Sequence, residues 1–83
     1  MKIKPKFENV GEICRIRRQE LGLSCQDMAD LADVSQQFIS MFEKGKANSL
    51  DIIMLYIIIG VDVEELKRGY AKDYENIRNN KLN

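Results

Sequence analysis

The sequence predicts an all-α fold, a compact bundle of about five helices. Three observations carry that expectation. Apolar residues recur at three- and four-residue spacing along most of the chain. The 83 residues include one proline, Pro5, and five glycines, so the interior has few breakers and long helices are allowed. The one strand-like run, Leu50 to Ile59, has no second run to pair with. A chain of this length makes one domain with a modest core. An apolar fraction of 45% and a charged fraction of 31% fit a folded chain rather than a disordered one.

Each element follows from local signals. Residues 1–8 carry Lys2, Lys4 and Lys6 and read as a flexible basic arm. Asn9 is placed to cap the first helix, and Glu12 three residues on completes a capping-box pattern. Val10, Cys14, Arg18 and Leu21 share the inner face of that helix, and Gly22 stops it. Ser24 caps a second helix, with Met28, Leu31 and Ala32 as its apolar positions. Asp27 in its first turn suits the helix dipole. Asp33 ends this helix at a tight turn. Ser35 caps a third, with Ile39 and Phe42 on one face, and Gly45 stops it. The second and third helices, each about nine residues and joined by about three, have the geometry of a helix-turn-helix. Lys46 to Ser49 is a loop. Leu50 to Ile59 is read as helix and ends at Gly60. Asp62 caps a last helix carrying Leu66, Tyr70, Tyr74 and Ile77, which Gly69 weakens. Residues 78–83 are expected to fray. Residues 9–66 are expected to form the main domain, and 67–83 a C-terminal helix or tail.

Composition excludes several classes. Thirteen basic residues balance thirteen acidic ones, so net charge does not advertise a nucleic-acid binder; charge on one face is what matters. Two cysteines, Cys14 and Cys25, with no histidine cannot build an ordinary zinc site. No metal and no cofactor are expected. The longest apolar run, Ile52 to Ile59, is eight residues, far short of the roughly 20 that cross a bilayer. No signal-peptide core follows the basic start. The expectation is a reduced, cytoplasmic protein without a membrane partner. With no histidine, no phosphate loop and no paired carboxylates on a cleft, an enzyme is not expected.

Several short motifs fall in a fixed order: Gly22-Leu23-Ser24, Met28-Ala29, Val34-Ser35-Gln36-Gln37, Ile39-Ser40, Glu43-Lys44-Gly45-Lys46, Gly60-Val61 and Glu65-Leu66. Together they make the stretch from Val10 to Leu66 resemble the Xre/Cro family of phage-repressor-like helix-turn-helix domains. The resemblance implies a lambda-repressor-like fold and a transcriptional regulator, expected to be a nucleoid-associated repressor. Its partner would be double-stranded DNA, read in the major groove by the helix over residues 35–44.

Small Ala29 lets the second and third helices cross closely. Val34, Ile39 and Phe42 anchor the reading helix. That leaves Gln36, Gln37, Ser40 and Met41 to face bases, where Gln can pair with adenine and Met41 offers only an apolar contact. Otherwise the two glutamines are a solvated face. Ser24, Gln26, Ser35, Lys44 and Lys46 are candidate phosphate ligands. Family members usually carry glutamine next to the serine at position 24; here Cys25 stands there and Gln26 follows. Asp33 replaces the usual turn glycine. The resemblance also suggests that Arg18 and Glu43 pair across the first and third helices; otherwise both are exposed and independent. Cys14 is structural. Cys25 is expected to be exposed beside a phosphate, where a redox effect on DNA binding is conceivable.

The run from Ile52 to Ile59 leaves its helix no polar face. Leu50, Ile53, Met54 and Ile57 are expected to close the core. Leu55, Tyr56, Ile58 and Ile59 need another cover, from the last helix with Tyr70 and Tyr74, from a second chain, or from both. With both, a homodimer on a near-palindromic operator is expected, its reading helices about 34 Å apart; with the tail alone, a monomer. A prophage or mobile-element regulator or an antitoxin fits, with a toxin or antirepressor as protein partner. The competing reading is a protein-interaction module on the same scaffold that no longer reads DNA and binds through Ile58 and Tyr70.

Overall fold

Among the described residues five helices alternate with tight, glycine- or aspartate-stopped turns: α1 Glu8–Glu20, α2 Cys25–Ala32, α3 Gln36–Glu43, α4 Leu50–Ile58 and α5 Val63–Leu82. The structure is a computed structural model that describes residues 7–82, with side chains described through Asn79. Residues 1–6, where the basic arm was expected, lie outside the described residues. Phe7 and Glu8 do not belong to an arm. Phe7 packs its ring on Tyr70 and Tyr74, and Glu8 opens α1.

α1 is the hub, packing against α3, α4 and α5, while α2 packs on α3 and α4. The core joins Val10 and Cys14 of α1, Met28 and Ala29 of α2, Ile39 and Phe42 of α3, and Ile52, Ile53 and Tyr56 of α4. Val61 and Leu66 close it from below. Phe42 and Tyr56 stack at 5.6 Å in the middle.

Several local expectations hold. Ser24 and Ser35 accept hydrogen bonds from the Asp27 and Phe38 amides at the starts of α2 and α3, and Ser49, read as loop, likewise caps α4 by accepting from Ile52. Asp27 returns the bond to the Ser24 amide at 2.8 Å, a complete capping box. Asp33 takes the left-handed conformation, φ 56, at the turn after α2.

Others need correction. Asn9 does not cap α1; Phe7 holds that position without a side-chain cap. The α1 N-terminus is capped instead from α5. Asp73 accepts from the amides of Asn9 and Val10 at 2.9 and 3.0 Å and from Asn9 Nδ2 at 2.7 Å. A cap 64 positions away has no local signature. Leu31, expected inside, is 60% exposed, while Ala29, expected at the crossing with α3, is fully buried. α4 is rotated from the expected phase. Ile52, Ile53 and Tyr56 face inward, whereas Leu50 and Met54 face out. From Ile52 on the helix is apolar all round, and only exposed Asp51 at its start hints at the phase. Here the Tyr56 hydroxyl decides it by finding the Glu43 carboxylate. Gly69 is buried against α1, where an added Cβ would lie 2.8 Å from Ile13 Cδ1. Residues 78–82, expected to fray, continue α5.

Burial pushes the Cys14 thiol up from 9.0 to about 12, with Glu43 adding to the shift. Tyr56 is raised in the same sense, first by burial and then by its bond to Glu43. A raised folded pKa favours the folded protein while the group stays neutral, and that advantage is lost as the unfolded thiol ionises. Stability is therefore expected to fall from pH 9 towards 12. Urea midpoints across this range check it, and Cys14→Ala should flatten the part that begins near pH 9.

Candidate nucleic-acid interface

α3 divides cleanly into two faces. Ile39 and Phe42 are buried, at 0% and 2% exposure, and Glu43 at its end is buried too. The opposite face carries Gln36, Gln37 and Met41, all exposed, with Ser40 half-buried between them. Ser35, exposed, spends its hydroxyl oxygen on the Phe38 amide. Lys44 and Lys46 are exposed on either side of Gly45, where the chain leaves α3. Gln36, Gln37, Ser40, Met41 and Lys44 follow one another at helical spacing, and Lys44 and Lys46 stand at the C-terminal end of α3.

The start of α2 is different. Ser24 and Gln26 are exposed and adjacent, but both are engaged locally. The Ser24 amide bonds Asp27, and Gln26 Nε2 donates to Asp30 at 2.8 Å. The bonds to Ser24 hold the Asp27 carboxyl below its ordinary range. With Asp30 and Asp33 also exposed, α2 presents acids beside α3. The bond to Asp30 uses one of the two Nε2 hydrogens of Gln26, so a phosphate contact would draw on the other, beside the Asp30 carboxylate.

One buried carboxylate fixes the end of α3. Arg18 Nε and Nη2 donate to Glu43 Oε2 and Oε1 at 2.7 and 2.9 Å, a bidentate pair. Arg18 Nη1 donates to the Leu23 carbonyl at 2.8 Å. The Glu43 bond raises the Arg18 guanidinium above its ordinary range. Tyr56 donates its hydroxyl to Glu43 Oε2, and Cys25 Sγ lies 4.0 Å from Oε1. Residues from α1, α2 and α4 thus meet on the last residue of α3. Cys25 is half-buried against Glu43 rather than exposed to a backbone phosphate.

Sequence reasoning missed the parts played by Tyr56 and Leu23 in this cluster. The lone tyrosine in the apolar run Ile52 to Ile59 was the available signal, since a buried hydroxyl needs a partner. Among the candidate interface residues, Tyr56 is fully buried and is corrected to a core residue. Leu55, Ile59 and Tyr70 are half-buried against the core. Ile58 and Tyr74 are exposed, at 75% and 60%. Among the described residues no helix is long and apolar enough to cross a membrane.

Two short helices crossing through a small residue, a three-residue turn and an exposed uncharged face on the second define a helix-turn-helix protein. A family model described as helix-turn-helix matches residues 15–66. The chain belongs to this Xre/Cro, lambda-repressor-like family of DNA-binding transcription regulators. No curated protein and no solved structure matches the chain.

Proposed function

We propose that the chain is a sequence-specific transcriptional repressor that reads double-stranded DNA in the major groove with α3. The observation that carries this is the division of α3: a buried anchor of Ile39, Phe42 and Glu43 beneath an exposed row of Gln36, Gln37, Ser40 and Met41. The glutamines supply adenine-type contacts, each good pair worth about 1–3 kcal/mol of discrimination. Lys44 and Lys46 neutralise phosphates at one end. Ser24, Gln26 and Ser35 line the backbone at the other. The working form is a homodimer on a near-palindromic site, in the cytoplasm at the nucleoid. Residues 9–66 are the DNA-binding unit, and the C-terminal helix contributes to the dimer. Its apolar cover is Ile58 and Tyr74, joined by Leu50 and Met54, which with Ile58 make a stripe four apart on α4, each more than half exposed.

Titration of labelled duplex DNA at several salt concentrations tests the reading. Affinity is expected to fall steeply with salt, and Lys44→Gln or Lys46→Gln should each reduce the slope by about one. Binding that is absent at low salt, or indifferent to salt, contradicts it. One observation favours a second reading. Exposed Asp27, Asp30 and Asp33 beside α3 repel phosphate, which suits a protein-interaction module that engages a toxin or antirepressor instead.

A further inference from the structure

We infer that Asp73 and Phe7, remote from the proposed base readers, are positioning residues for the phosphate-binding end of α3. The inference rests on the proposed DNA reading for its consequence but not for its geometry. Asp73 lies on α5 at 1% exposure. Its two oxygens accept three N–H bonds from Asn9 and Val10, which ties the first turn of α1 to α5. A carboxylate at a helix N-terminus is also favoured by the helix dipole.

The same first turn holds the exit of α3. The Phe7 amide donates to the Gly45 carbonyl at 2.9 Å. Gly45 sits at φ +80 and passes so close that an added Cβ would lie 2.5 Å from the Glu8 nitrogen. Phe7 is in turn gripped by α5, with its ring edge-on to Tyr70 at 5.9 Å and to Tyr74 at 5.8 Å. Tyr70 reaches further along the same strap, its hydroxyl 3.5 Å from Asn48 Oδ1 in the loop after α3. Gly45 is flanked by Lys44 and Lys46. The clamp from α5 through the α1 N-terminus therefore sets where both lysines stand. The Arg18–Glu43 cluster fixes α3 from within the core; the Asp73–Phe7 clamp fixes the segment that follows it.

The test uses the full chain and two readouts. Amide spectra of Asp73→Asn and Phe7→Ala are compared with Ile52→Val, a mild core truncation outside the clamp. Gly45 and Lys46 are expected to shift in both clamp variants and not in Ile52→Val, while Phe7→Tyr, which keeps the ring, should restore them. In duplex titrations both clamp variants should lose about tenfold in affinity, a usual size for linked sites, with a shallower salt slope. Their preference among base sequences should be retained. Unmoved Gly45 and Lys46 signals in a folded clamp variant overturn the inference, as does an equal shift in Ile52→Val. If Asp73→Asn does not fold, the more peripheral Phe7→Ala decides. If the unaltered protein binds no DNA, the proposed function fails and the amide spectra still decide the clamp.

Discussion

Replacing Glu43 by alanine is expected to cost about 3–5 kcal/mol, because it strands the Arg18 guanidinium in the core. Arg18 has only about a tenth of its side chain exposed, and two of its three donors to the protein go to Glu43. The same change removes the acceptor of the Tyr56 hydroxyl. A domain of this size is stabilised by about 4–12 kcal/mol in all, at a usual 0.05–0.15 per residue. Glu43→Ala should therefore lose about a quarter or more of its stability, with a sharply lowered urea midpoint and, at the low end of that range, no folded baseline. Removing both charges at once, as Arg18→Met with Glu43→Leu, should recover much of the loss, since a buried pair often gives little over an apolar replacement. Urea titrations followed by circular dichroism separate the two. A Glu43→Ala midpoint near that of the unaltered protein would show that the cluster holds α3 only weakly.

The second large effect is expected at Gly11, and its sign is informative. Glycine within a helix normally costs roughly 0.5–1 kcal/mol relative to alanine, so Gly→Ala usually stabilises. Here an added Cβ would lie 2.4 Å from the Glu43 carbonyl oxygen and 2.7 Å from that of Phe42. Both are backbone atoms at the end of α3, so no side chain can swing aside. α1 and α3 must separate, at an overpacking cost of about 1–3 kcal/mol. Gly11→Ala is thus expected to lower the thermal midpoint, and through α3 to weaken selective DNA binding in whatever fraction stays folded. A raised midpoint would mean that α1 and α3 do not meet this closely in solution.

How much of this was legible in the sequence depends on distance along the chain. Caps at Ser24 and Ser35, the left-handed turn at Asp33 and the inward pair Ile39 and Phe42 are decided within a few residues, and local patterns report them. The family pattern pointed to Arg18 and Glu43 together. The bond that caps α1 joins Asn9 to Asp73, and Asp73 has no neighbour that marks it as a cap. A capping box at Asn9 and Glu12 was the better local guess, yet Glu12 pairs with Arg15 instead. Gly69 and, unremarked in the sequence reading, Gly11 illustrate the same limit. A glycine within a helix reads as a weak point, as Gly69 did, yet at both positions another helix packs too close for a side chain. In α4 every position but Asp51 is apolar or aromatic; Asp51, exposed on one face with Met54 and Ile58, and the Tyr56 hydroxyl, bonded to Glu43, were the two signals of which face points inward.

The central claim is that the uncharged outer face of α3 meets base edges. Selection of bound sequences from a pool of random duplexes, run in parallel with the unaltered chain and a Gln36→Ala, Gln37→Ala double variant, tests it most directly. The account predicts a near-palindromic consensus for the unaltered chain and relaxed preference at one or two positions in each half-site for the variant. No enrichment by the unaltered chain, or the same consensus from both proteins, would contradict it.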